Sequence, residues 1–281
     1  MATETTLTSA KAWSPDITAF AASEVIPDAL VLQTSTVTGR IEGDEPAVRV
    51  AYVDDAAAQF VAEGTEIPED DPALSEVLVH TGKVAQLVRL SREQYSQTGT
   101  AQMLSESVRR AVIKKANEAY IAQAAPVAPA VTPPAGLLNV TGIEAGGAVA
   151  GDLDALVDLI ATLEGNGATP THILLAPDAW ASLRKFKTAT GSAQTLLGAG
   201  TTDATKSLLD LPVLVSSAMT AGTGLVIDKS AVVSAVGEVQ LAVSDQVYFN
   251  SDSIGLRCTF RFGANLVRPD RVGTFTVTNP A

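Results

Sequence analysis

Near its C-terminal end the chain alternates strictly. Ile254, Leu256, Cys258, Phe260, Phe262, Ala264 and Leu266 are apolar, and Ser253, Gly255, Arg257, Thr259, Arg261, Gly263 and Asn265 stand between them. A period of two puts the two sets on opposite faces of a strand. At ~3.3 Å per residue that strand exceeds roughly 40 Å, whereas ordinary strands have ~5–6 residues. A helical period governs residues 100–125, where Leu104, Val108, Val112, Ala116 and Tyr120 recur every four positions with Ala111 and Ala119 beside them. Thr98 or Thr100 can cap this helix, and the four prolines between Pro126 and Gly136 end it. At 1.5 Å of rise per residue it spans roughly 37 Å. A helix and a strand of matching, unusual length predict a slender slab.

Upstream, residues 46–53 (PAVRVAYV) and the run from about Leu74 to Leu90 read as extended segments. The polar connection between them is too long for an ordinary turn and predicts a projecting arm, with a solvated surface hairpin as the plainer alternative. Residues 1–29 read as an extended arm or a frayed terminus. Downstream, residues 152–164 form an amphipathic helix ended by Gly165 and Gly167. His172–Ala176 is a short buried strand, Pro177–Lys187 a helix capped near Asp178, and 211–216 and 224–228 two more apolar strands. Alternating helices and short strands predict an α/β unit over about 138–237.

Composition narrows the function. The net charge of -12 on 281 residues argues against sequence-specific nucleic-acid readout, although a container for DNA need not be basic because charge is screened beyond ~8 Å. One cysteine, Cys258, excludes an intramolecular disulfide, and His80 and His172 are too far apart in sequence to suggest a metal site. No apolar run approaches the ~18 residues of a membrane helix, and no signal peptide is visible. Gly200–Ser207 lacks the glycine that a phosphate loop needs before Lys206, where Thr205 stands. No nucleophile, base or cofactor motif is legible, so catalytic, cofactor and metal residues are all expected to be absent. Cys258, His172, Trp13 and Trp180 read as packing residues.

Charge is distributed unevenly. From Val50 to Gly82 there is no Lys or Arg, while Asp54, Asp55, Glu63, Glu66, Glu69, Asp70, Asp71 and Glu76 all fall there. The long helix instead carries Arg109, Arg110, Lys114 and Lys115. The acidic stretch fits neither a carboxylate pair in a cleft nor a calcium loop, and reads as solvated charge or as an intermolecular contact.

The order of elements resembles the Hong Kong 97-type fold of tailed-bacteriophage major capsid proteins. Phe60–Pro68 (FVAEGTEIP) resembles that family's extended loop, Lys83–Tyr95 the return strand before its spine helix, and Pro177–Arg184 the helix after its central strand. Leu208–Ser216 with Met219–Gly224 resembles the LLGLPVVVS…MPAG stretch, and Arg257–Arg261 the final long strand. The resemblance implies an α+β chain with an N-terminal arm (1–29), an extended β-hairpin loop (46–83), and a peripheral domain (30–45, 84–137 and 238–267). That domain holds a spine helix over about 98–125 and long antiparallel strands, and a central α/β, or axial, domain (138–237 and 268–281) completes the chain. It implies hexamers and pentamers in an icosahedral virion shell around double-stranded DNA, with a portal and a scaffold or cement protein as partners. The expected clasp is the arm, through Phe60, Glu63, Glu66, Glu69, Asp70 and Asp71, on Arg109, Arg110, Lys114 and Lys115 of a neighbour. Family members that cross-link covalently use a lysine on the loop; none precedes Lys83 here, so a non-covalent contact is expected. The rival readings are an encapsulin-type nanocompartment shell and, in a different class, an enzyme built on the α/β unit.

Overall fold

The computed structural model describes residues 17–20, 22, 26, 28–43, 45–54, 60–61, 63–64, 73–97, 100–189, 192, 194–197 and 206–278. Strand β1 (Ile17–Phe20) leads to a short helix α1 (Leu30–Thr34) and β2 (Thr36–Arg40). Strands β3 (Ala47–Asp54) and β4 (Ala73–His80) form a two-stranded ribbon, and β5 (Gly82–Ser91) runs into helices α2 (Arg92–Tyr95) and α3 (Thr100–Ala122). Next come β6 (Glu144–Val149), α4 (Asp154–Gly165), β7 (His172–Leu175), α5 (Pro177–Leu183), β8 (Ser207–Leu208), β9 (Leu211–Val215) and β10 (Thr223–Ile227). The chain closes with β11 (Val232–Val236), β12 (Val239–Tyr248), β13 (Ser253–Leu266) and β14 (Val272–Val277).

Strand β13, the alternating segment, organises the first sheet. β11 and β12 follow each other antiparallel along one edge of it, and β5 pairs antiparallel along the other from Ser253↔Ser91 to Phe262↔Gly82. β1 adds outside β12, and β2 outside β11. Directly paired residues share a face, so the even positions of β13 all point one way. Ile254, Leu256, Cys258, Phe260, Phe262 and Leu266 are buried there. Phe260 and Phe262 stack with ring centroids 5.3 Å apart.

Helix α3 covers that face. Its buried stripe is Val108, Val112, Ala116 and Tyr120, the four-residue repeat of the sequence, with Ile121 added. Burying each large side chain contributes on the order of 1.5–3 kcal/mol, so this seam dominates the slab. Polar groups fix the register. The N–H of Leu30 donates to Asn117 Oδ1 at 2.9 Å, which caps α1 in place of Ala29. The Tyr120 hydroxyl meets Thr34 Oγ1 at 2.9 Å.

The second sheet runs β6-β14-β10-β7-β9-β8. Helix α4 buries Leu156, Leu159 and Leu163, and a crossover through α5 joins the parallel pair β7 and β9. Strand β11 lies in the first sheet, although its residues fall within the expected 138–237 unit. The expected cap at Asp178 is not formed. Ala176 holds the N-cap position of α5, and the Asp178 carboxylate accepts the Gly222 N–H at 2.7 Å, because the αL turn at Gly222 brings that donor alongside. Trp13, Thr98 and the Gly200–Thr205 part of the loop lie outside the described residues.

Candidate assembly interface

The arm starts from a crossing. Strands β3 and β4 pair over eight rungs, from Ala47↔His80 to Asp54↔Ala73, and the ribbon root passes over the C-terminal half of β13. A Cβ built on Gly263 would lie 2.1 Å from the His80 carbonyl oxygen, so only glycine lets the two backbones touch. Gly263 is an odd position of β13, and the ribbon therefore lies on the face turned away from α3.

Around the crossing, Val79 is fully buried with Ile41, Val233 and Ala235. Thr81, only 1% exposed, separates β4 from β5. Its N–H donates to the Pro46 carbonyl at 2.9 Å, its hydroxyl donates to the Glu45 carbonyl, and Arg261 Nη1 donates to that hydroxyl at 3.0 Å. Asn265 Nδ2 donates to Leu78 O at 2.9 Å and Arg268 Nη2 to Val53 O at 3.2 Å, tying the ribbon to the body.

Beyond the ribbon, Phe60 is wholly exposed and Glu63 is exposed too. Glu66, Glu69, Asp70 and Asp71 lie outside the described residues. Glu76 pairs with Arg49 across the ribbon at 2.8 Å. Arg109, Arg110, Lys114 and Lys115 are exposed on α3. Two of them have acidic neighbours on their own helix: Arg110 with Glu106 and Lys115 with Glu118, each at 3.9 Å. Among the described residues, the ribbon root and the basic helix lie on opposite sides of the first sheet.

The structure also assembles a basic surface that sequence reasoning missed. The odd positions of β13 and their partners face away from α3. They place Arg261 directly opposite Lys83, Arg257 opposite Leu87 and Arg89 opposite Gly255. The Arg89 guanidinium sits 4.7 Å from the centre of the Tyr248 ring. Arg257 and Arg261 are visible in the alternation; their union with Lys83 and Arg89 depends on strand register.

Two groups test the chemistry. Burial raises the Cys258 thiol above its ordinary value, so it is a packing residue and not an activated nucleophile. Burial, helped by nearby Lys229, lowers the His172 imidazole, whose Nδ1 lies 3.0 Å from Thr171 Oγ1. Among the described residues no group of three or more His, Cys, Asp or Glu could hold a metal ion. No helix among them is long and apolar enough to cross a membrane.

Comparison with known proteins follows the same line. No curated protein matches the chain. Among solved structures, one from Mycobacterium phage Adephagia superposes with a TM-score of 0.70 at 18% identity, covering 90% of this chain and 91% of that one. One from Gordonia phage Cozz gives 0.70 at 14% identity, covering 89% and 86%. The capsid of an empty GTA particle, described with C5 symmetry, gives 0.68 at 14% identity, covering 90% of both chains. At such identities the likeness shows a shared fold. The model of the phage capsid family matches residues 24–276. With nearly the whole chain matched and the capsid fold in place, this protein belongs to the phage capsid family and is a shell protein of a bacteriophage virion.

Proposed function

We propose that the chain is the major capsid protein, whose copies form the hexamers and pentamers of an icosahedral shell around double-stranded DNA. The shell would join a portal and a scaffold or cement protein, and assemble in the host cytoplasm. The observation that carries this reading is the arm. A ribbon anchored at Gly263, with an exposed Phe60 beyond its end, has no use for that aromatic within its own subunit. The C5 symmetry of the related GTA capsid supports pentamers, and the family match favours a phage shell over a cellular nanocompartment.

Docking of the arm is non-covalent in this reading. Each exposed ion pair contributes only about 0–1 kcal/mol, so charge selects partner and register while apolar burial near Phe60 supplies more. Repetition around a closed shell turns weak contacts into a stable particle. Arg109, Arg110, Lys114 and Lys115 on a neighbour's α3 are the acceptor that the charge pattern suggests.

Negative-stain imaging of the expressed protein tests the shell. Uniform icosahedral particles are expected, and dispersed small particles would overturn the reading. Mature particles boiled in detergent should release single subunits; a ladder of covalent multimers would rule out non-covalent docking. Purified virions should contain double-stranded DNA, whereas particles filled with a cargo protein would point to a nanocompartment.

A further inference from the structure

We propose that the cations of α3, Arg110 and Lys114 foremost with Arg109 and Lys115 beside them, bind the phosphate backbone of the packaged duplex, so that α3 lines the inside of the shell. The inference rests on the reading of the chain as a shell subunit around double-stranded DNA. It gives the basic helix DNA as its occupant in place of a neighbour's acidic stretch.

The helix separates its own surfaces. Val108, Val112, Ala116 and Tyr120 seal one side of it against the first sheet. At about 100° per residue, Arg110 and Lys114 stand one turn apart on the side away from that stripe, with Arg109 and Lys115 on its flanks. All four are exposed. Glu106 and Glu118 are the only carboxylates of α3, so the helix is positive in a chain whose net charge is -12. Lys114 forms no ion pair among the described residues. From Arg109 to Lys115 the helix advances ~9 Å, and over that length a duplex presents about five phosphate charges.

Sidedness decides between DNA and a neighbour's carboxylates. Gly263 and Asn265 hold the ribbon root on the face of β13 turned away from α3. The stretch Val50–Gly82, with eight carboxylates and no Lys or Arg, is rooted on that face. Rotation axes of a closed shell pass through its centre, so each copy turns the same face inward. One side of the wall therefore carries α3 from every copy, and the other carries every ribbon root. DNA fills one side only, and the side with the surplus of cations lowers the electrostatic cost of a polyanion held against it. The open face has cations as well, but Arg261 holds the ribbon root through Thr81 and Arg89 lies over the Tyr248 ring.

The chemistry suits backbone contact without base readout. The ends of Arg110 and Lys114 ride on flexible stems along an exposed ridge, and contacts of that kind neutralise phosphates while carrying no sequence information. Arg110 and Lys115 lie 3.9 Å from Glu106 and Glu118. Exposed pairs at that distance hold weakly and yield to phosphate. A lining built this way holds any part of a genome loosely and lets it leave.

Formaldehyde fixation of DNA-filled virions tests the assignment, because each face of the sheet carries its own lysine reporter. After digestion with nuclease and protease, nucleotide adducts are mapped by mass spectrometry. Adducts are expected on Lys114 and Lys115 of α3 and not on Lys83 of the open face. Their absence from Lys114 and Lys115, or their presence on Lys83 instead, overturns the inference while leaving the shell reading intact. Virions without double-stranded DNA would overturn the shell reading as well. Arg110→Gln with Lys114→Gln gives a second readout. Shells should assemble at the parent's yield, and the adduct on Lys115 should fall several-fold. A variant with an unchanged circular dichroism spectrum that no longer forms shells would give the helix to a neighbour's acidic stretch and refute the assignment.

Discussion

Replacing Gly263 by alanine measures how tightly the arm root is built. The new methyl carbon would lie 2.1 Å from the His80 oxygen, 2.9 Å from its carbonyl carbon and 3.2 Å from Thr81 Cα. Carbon-to-oxygen contacts in proteins settle near 3.3–3.6 Å, so the His80–Thr81 backbone must retreat by about 1 Å. It is backbone, and no rotamer change can relieve it. Retreat strains the Arg261 to Thr81 and Asn265 to Leu78 hydrogen bonds and loosens fully buried Val79. Overpacking of this kind costs about 1–3 kcal/mol, and a weakened hydrogen bond about 1 more, so about 2–4 kcal/mol is expected. Taking a few degrees per kcal/mol for a chain of this size, Tm of the unassembled subunit should fall by roughly 5–10 °C. Gly255→Ala is the control on the same face of the same strand, since its Cβ would meet nothing nearer than a Tyr248 ring carbon at 3.4 Å, an ordinary contact. Thermal unfolding followed by circular dichroism decides the matter. A Gly263→Ala protein melting within about 1 °C of the parent, or an equal loss in Gly255→Ala, would refute the reasoning.

Other consequences are open to direct measurement. Asn117→Ala removes the acceptor of the Leu30 N–H and should cost about 1 kcal/mol in urea unfolding; no change would mean that α1 is capped by water. The Cys258 thiol, buried and with its pKa raised, should ignore a thiol reagent in the native subunit and react fully once unfolded. Rapid labelling of native protein would show that α3 does not seal the sheet. Because folding lowers the His172 pKa, the unfolded chain takes up that proton first as pH falls. Stability should therefore decline below pH 6.5 until the folded pKa is passed, and His172→Gln should remove that part of the slope. A variant with the same slope as the parent would count against it.

Elements set by local periodicity are legible in the order of the amino acids alone. The four-residue repeat marks α3 to within a few residues of Thr100–Ala122, and the alternation marks β13 as Ser253–Leu266. Continuous apolar runs mark β7, β9 and β10. What escapes depends on tertiary partners. The extended run from Leu74 to Leu90 is two strands, because at Thr81 the chain changes partner from β3 to β13, and a β-branched threonine leaves no trace of that break. β6, with its two glycines, lacks a strand pattern and is held by its parallel pairing to β14. Among the candidate contact residues, charge alone identifies the acidic stretch and the helix cations. Their separation by a sheet is a matter of topology. So is the meeting of Lys83 with Arg261, far apart in sequence.

The crossing at Gly263 also makes the arm a lever. The His80 carbonyl rests in the notch left by the absent Cβ, with no clearance beneath it. Thr81, held on three sides, serves as the fulcrum. β4 passes through that point into β5 with one residue between them, and β5 is zipped to β13 along its whole length. A load on the outer end of the ribbon is therefore delivered as torque to the first sheet, along a continuous β backbone from β4 through Thr81 into β5.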